Sequence, residues 1–104
     1  MKESPIQTAI LNALNYLPDT FAFKVHTTGI PIGRTGFFRT NPNKGTADIL
    51  VCKDGRFAAF EVKRPGEKAE PHQAQWGQKV TQWGKGKYFV VHSVEEAEAA
   101  WRTV

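Results

Sequence analysis

Cysteine is nearly absent from this chain: Cys52 stands alone among 104 residues. A single thiol excludes an internal disulfide and any cysteine-rich zinc site. Set in an apolar run, Cys52 is expected to be a small buried hydrophobe. Long apolar runs are missing too. None nears the ~18 residues of a membrane-crossing helix, and no signal peptide opens the chain, so a soluble, cytoplasmic protein without membrane contact is expected. No internal repeat, linker or low-complexity tract divides the sequence, and its length suits a single domain over residues 1–104. The glycines of the middle segment lack the Gly-Lys-Ser/Thr ending of a phosphate-binding loop. Acidic residues are absent between Asp19 and Asp48, whereas Lys24, Arg34, Arg39 and Lys44 all fall there. With a net charge of +4, such a stretch suits a polyanionic partner such as nucleic acid; a mildly basic solvated surface is the plainer alternative.

What is present centres on two runs rich in apolar and β-branched residues, Gly45 to Cys52 and Phe57 to Lys63, on either side of Lys53-Asp54-Gly55-Arg56. Asp-Gly between such runs predicts a two-residue hairpin turn. If Lys53 pairs with Arg56, Asp48 falls directly opposite Glu61, and Lys63 points to the same face. Like charges opposed on largely buried strands are destabilising unless something neutralises them. A divalent cation would do so, and hard oxygen ligands suit Mg²⁺ or Mn²⁺. Zinc lacks its usual nitrogen and sulfur ligands here. The plain alternative is a solvated strand face carrying two acids and a base.

Elsewhere the chain reads as alternating helices and strands. Ser4, Pro5 and Gln7 open a helix whose apolar stripe is Ile6, Ala9, Ile10, Ala13, Leu14 and Leu17. Residues 21–28 alternate as a strand with Phe21, Phe23 and Val25 on one face, and His26 is expected to be an ordinary polar group. Residues 29–44, with their glycines and prolines, read as a long loop. There Arg34 and Arg39 are candidate phosphate ligands, and Phe37-Phe38 would stack on a base, meet a second subunit or cover the core. Arg64 to Glu70 is a polar connector. A second helix runs from Pro71 to about Gln82, with Gln73, Trp76, Val80 and Trp83 on one face; the tryptophans are expected in the core. Gln73 is the odd polar residue of that face and needs partners if buried, while Gln75 is out of phase. Lys87 to His92 reads as a strand buried on both faces, and Ser93 to Glu96 as a capping box for a last helix. The helix between the third and fourth strands implies a crossover, hence a mixed four-stranded sheet.

Gly45-Thr46-Ala47-Asp48, Glu61-Val62-Lys63-Arg64 and Gln73-Ala74-Gln75-Trp76, in that order, resemble the virus-type replication-repair nuclease (VRR-NUC) domain of the PD-(D/E)XK superfamily. The resemblance covers nearly the whole chain. It implies a restriction-endonuclease-like three-layer α/β core with the order α-β-β-β-α-β-α. It also implies Mg²⁺- or Mn²⁺-dependent hydrolysis of phosphodiester bonds in DNA, with Asp48, Glu61, Lys63 and Gln73 as catalytic residues. Asp48, Glu61 and the backbone carbonyl of Val62 would hold the metal, and Glu3, at the mouth of the first helix, would reach it directly or through water. Arg34, Arg39, Lys44 and Arg64 would contact DNA. A chain of this length resembles the small stand-alone members from phages and bacteria, which implies a homodimer cutting branched DNA such as four-way (Holliday) junctions in DNA repair. The competing classes are a non-catalytic nucleic-acid-binding or dimerisation module of the same fold, and a hydrolase of small phosphate esters.

Overall fold

The structure is a computed structural model that describes residues 5–25, 30–31, 38–39 and 45–104, without the side chains of residues 30, 31, 38 and 39. Glu3, His26, Arg34, Phe37 and Lys44, and the side chains of Phe38 and Arg39, therefore lie outside the described residues.

The elements are α1 (Pro5–Asn15), β1 (Thr20–Lys24), β2 (Ile30–Pro31), β3 (Phe38–Arg39), β4 (Ile49–Lys53), β5 (Arg56–Val62), α2 (Pro71–Gln78), a π-helical turn (Lys79–Trp83), β6 (Lys87–Val91) and α3 (Val94–Trp101). A four-stranded sheet has the order β1-β4-β5-β6, antiparallel except for the β5/β6 pair, which is parallel. The fold is thus α/β around a mixed sheet. β2 and β3 pair with each other as a separate antiparallel ladder, so the segment expected to be one long loop carries a short ribbon. Pairing there satisfies backbone groups that a bare loop would leave to water.

The β4–β5 turn has Asp54 at φ 49° and Gly55 at φ 81°, the two positive angles of a type I′ turn, and Lys53 pairs with Arg56 as expected. On one face of the sheet, Ala22, Ile49, Val51, Ala58, Phe60 and Val91 pack with Ile10 and Leu14 of α1 and Ala97 of α3. Asn15, at the end of α1, turns its amide onto the edge strand: Oδ1 accepts from the Ala22 N–H and Nδ2 donates to the Ala22 carbonyl, both at 2.9 Å. A side chain thereby closes part of an open sheet edge. Trp101 of α3 donates its indole N–H to Thr20 Oγ1 at 2.8 Å, and Lys53 Nζ sits 4.0 Å from the Trp101 ring centroid.

The other face is covered only in part. α2 lies against β6, where a Cβ on Gly77 would come within 2.6 Å of the Tyr88 ring; only glycine permits that approach. Among the described residues, nothing covers the β1–β4 half. Phe21, Phe23 and Val25 do share a face, but it is this open one: Phe21 is 63% exposed and the small Ala22 takes the core position. Cys52 is exposed as well, correcting the expected buried thiol. The register sets it between Phe21 and Phe57, one step out of phase with the core residues Ile49 and Val51. A continuously apolar strand hides which alternate set faces inward. Two further expectations change. β6 is an edge strand, so only Val91 is fully buried and Tyr88, Phe89 and Val90 are half-covered. Trp83 is 78% exposed rather than in the core, because the π turn has more residues per turn than an α-helix and rotates Trp83 off the sheet-facing stripe.

Candidate active site

The hairpin register brings the predicted acids together. The regular ladder ends at Ile49 and Phe60, one step short of Asp48 and Glu61. There the Asp48 carboxylate replaces the ladder: its Oδ2 accepts the Val62 N–H at 2.9 Å, while the Asp48 carbonyl accepts from the Val25 N–H at 2.8 Å. Asp48 is thus anchored on both neighbouring strands.

Glu61 is 2% exposed. Its Oε2 accepts a hydrogen bond from Gln73 Nε2 at 3.1 Å, and its Oε1 is buried with no partner. Burial pushes the Glu61 carboxyl up to about 9; the neighbouring Asp48 carboxylate adds to this, and Lys63 opposes it. Glu61 therefore favours its protonated form at neutral pH, as a buried acid beside a second carboxylate does. Lys63 is half-buried and held through its backbone N–H on the Val91 carbonyl at 3.0 Å. Arg64 is exposed, with its N–H on Glu67 Oε1 at 3.0 Å.

Gln73 is occupied at both ends. Besides the bond to Glu61, its Oε1 accepts the Glu70 N–H at 2.8 Å, closing a capping box at the start of α2. The glutamine that caps the helix thus orients the buried acid. Gly45, at φ 89°, makes the same junction possible from the other side: a Cβ there would lie 2.5 Å from the His72 carbonyl oxygen. The chain enters β4 by brushing the first turn of α2, which ties the Asp48 and Gln73 ends together.

Sequence reading missed Tyr88. Its hydroxyl is buried without a partner, and burial first, then the charges of Glu61 and Asp48, push it up to about 12. The signal was a lone hydroxyl in an apolar strand, two residues along β6 from the partner of Glu61, Val90, and on the same face. Two orphaned oxygens, one acid and one phenol, thus lie on the same face of the sheet.

A hard divalent ion fits this donor set. The two carboxylates interact, one buried Glu61 oxygen has no donor, and the Gln73 amide is bonded to the other oxygen. Among the described residues no third His, Cys, Asp or Glu converges on the pair; Mg²⁺ characteristically takes one or two carboxylates and completes its shell with water and substrate oxygens. The chain matches no protein-family model, and a search of curated proteins finds no match either.

Proposed function

We propose that the chain is a metal-dependent DNA nuclease of VRR-NUC type with a restriction-endonuclease-like core, hydrolysing phosphodiester bonds as a homodimer on branched DNA. One observation carries this reading: a glutamate 2% exposed, with an orphaned oxygen, lies against a second carboxylate and beside a lysine. A buried acid pair of this kind is costly as structure alone and is what a cation site requires.

Asp48 and Glu61, with the Val62 carbonyl, would hold Mg²⁺ or Mn²⁺. When bound, the ion supplies polarisation of the scissile phosphate and a water acidic enough to attack it. The Val62 N–H fixes the rotamer of Asp48, and Gln73 fixes that of Glu61, so both carboxylates are oriented before substrate arrives. Lys63 places its ammonium where negative charge grows on the phosphoryl oxygens and orients the attacking water. The open apolar face around Phe21 and Phe23 suits burial against a second copy, which would set two sites on two strands.

The test is cleavage of labelled junction, flap, duplex and single-stranded DNA in Mg²⁺ or Mn²⁺, with Lys63→Ala beside the parent. Cleavage should fall at least 10²-fold in the variant, on the scale of losing one charge-stabilising group, while DNA binding persists. Equal cleavage by both proteins would remove Lys63 from the mechanism, and no cleavage by either would sink the nuclease reading.

A further inference from the structure

At the opposite end of β5 from the acids, the chain builds a second cationic feature. A cavity of about 340 Å³ opens there, walled by Arg56, Lys85 and Lys87, with Phe57 and Val104 between them. Among the described residues no Asp or Glu lines it, and the Val104 oxygen there accepts from Lys53 Nζ at 3.5 Å. Arg56 and Glu61 are five residues apart on one strand, so the cavity lies roughly 16 Å along the strand from the acid pair at ~3.3 Å per residue, with Arg56 on the opposite face of the sheet from Glu61.

Backbone geometry shapes this corner. The π turn ends with the Gly84 N–H on the Lys79 carbonyl and the Gly86 N–H on the Val80 carbonyl, both at 3.0 Å. Between these glycines stands Lys85 at φ 59°, in the left-handed region that a side chain enters at a cost of about 1–2 kcal/mol. Glycine would sit there without strain, yet the position carries a cation. Gly86 lets the chain pass Phe57, since a Cβ on it would lie 3.0 Å from the Phe57 ring. The same π turn turns Trp83 outward, 78% exposed, immediately before the cationic run. Trp83 precedes Gly84, which lines the cavity; an exposed indole adjoining a cationic segment suits a phosphate and the unpaired base attached to it.

We infer that the Arg56/Lys85/Lys87 cavity and Trp83 form a second nucleic-acid site, which grips a phosphate of an unpaired DNA strand and stacks its base. The inference deepens the nuclease reading by naming a contact remote from the acids. The site thereby favours DNA that carries a single-stranded arm near the point of cutting.

The test uses the full chain in EDTA, where binding is read without hydrolysis. The probes are a blunt duplex and the same duplex with a six-nucleotide 3′ or 5′ tail, each fluorescently labelled. Arg56→Ala/Lys85→Gly/Lys87→Ala changes three exposed residues and puts glycine where the backbone accepts it. It should weaken tailed DNA at least tenfold and lower the slope of log affinity against log salt by about 2. Trp83→Ala should weaken tailed DNA about tenfold and blunt duplex little, and Trp83→Phe should restore most of it. Tailed DNA should quench a tryptophan signal that Trp83→Phe lacks. Unchanged affinity and salt slope in the triple variant would overturn the inference, as would an equal loss on blunt and tailed DNA in Trp83→Ala. If the parent cleaves nothing in Mg²⁺ but the triple variant still loses tailed DNA, the nuclease reading fails and this site stands. If the parent cleaves while the triple variant binds normally, the reverse holds.

Discussion

Glu61 is the residue at which stability and function pull apart. Its carboxyl is raised from 4.5 to about 9, so the folded chain holds a proton there more tightly than the unfolded chain. The stabilisation is complete below pH 4.5 and is lost as pH climbs from 4.5 through about 9. At pH 8 the ion-free folded protein still holds most of that proton while the unfolded chain has lost it, and the fold is less stable by that difference. Glu61→Gln removes the titration while keeping the shape and the acceptor for Gln73. It is expected to raise ion-free stability at pH 8 by roughly 2 kcal/mol, measured by urea unfolding, with no gain at pH 4, and to abolish Mn²⁺ binding seen by calorimetry. A variant no more stable than the parent at pH 8 would show that the Glu61 carboxyl is not raised. Gly45 is the backbone counterpart. Gly45→Ala meets both a left-handed φ and the His72 carbonyl, so a loss of roughly 2 kcal/mol or more is expected in thermal unfolding. Loss of DNA cleavage should exceed what the unfolded fraction explains, because the displaced turn carries Gln73.

Among the elements, the connector between β5 and α2 is fastened at a distance. His92, at the end of β6, has Nε2 at 2.8 Å from the Glu67 carbonyl and Nδ1 at 2.9 Å from Glu96 Oε1. Both partners are acceptors, so only the imidazolium satisfies both. Its pKa is accordingly raised, first by the Glu67 carbonyl and then by Glu96, and Glu96 is lowered, first by the His92 hydrogen bond. The clip is lost as pH rises through the raised His92 value, and its Glu96 half is lost as pH falls through the lowered Glu96 value. An NMR titration should place His92 above 6.5 in the parent and lower in Glu96→Gln; equal values would dismiss the clip. Glu96 thus serves His92, and although Ser93 Oγ caps the Glu96 N–H at 3.1 Å, the reciprocal half of the expected capping box is diverted. Local signals such as this cap, the Asp54-Gly55 turn and the stripe of Ile10 and Leu14 were legible because they depend on neighbours in sequence. The π turn was not, since nothing in Lys79 to Trp83 distinguishes a widened turn from an ordinary one.

For the whole molecule, the pairing of Asp48 with Glu61 could be read because a two-residue turn fixes its register. Which face of that hairpin is inside could not, because the answer depends on where α1, α2 and α3 dock. Among the described residues, helices cover one face of the sheet and part of the other, and the remainder exposes Phe21, Phe23 and Cys52. Burial of that part against a second copy predicts a light-scattering mass of two chains at micromolar concentration, reduced towards one chain in Phe21→Ser/Phe23→Ser. A monomeric parent would leave paired cutting without a basis.

The exposed thiol at the centre of that part makes the protein its own reporter. Because no other cysteine competes, a thiol-reactive dye attaches at one known point. Its rate of attachment then measures whatever shields the sheet there, without any probe having to be engineered into the chain.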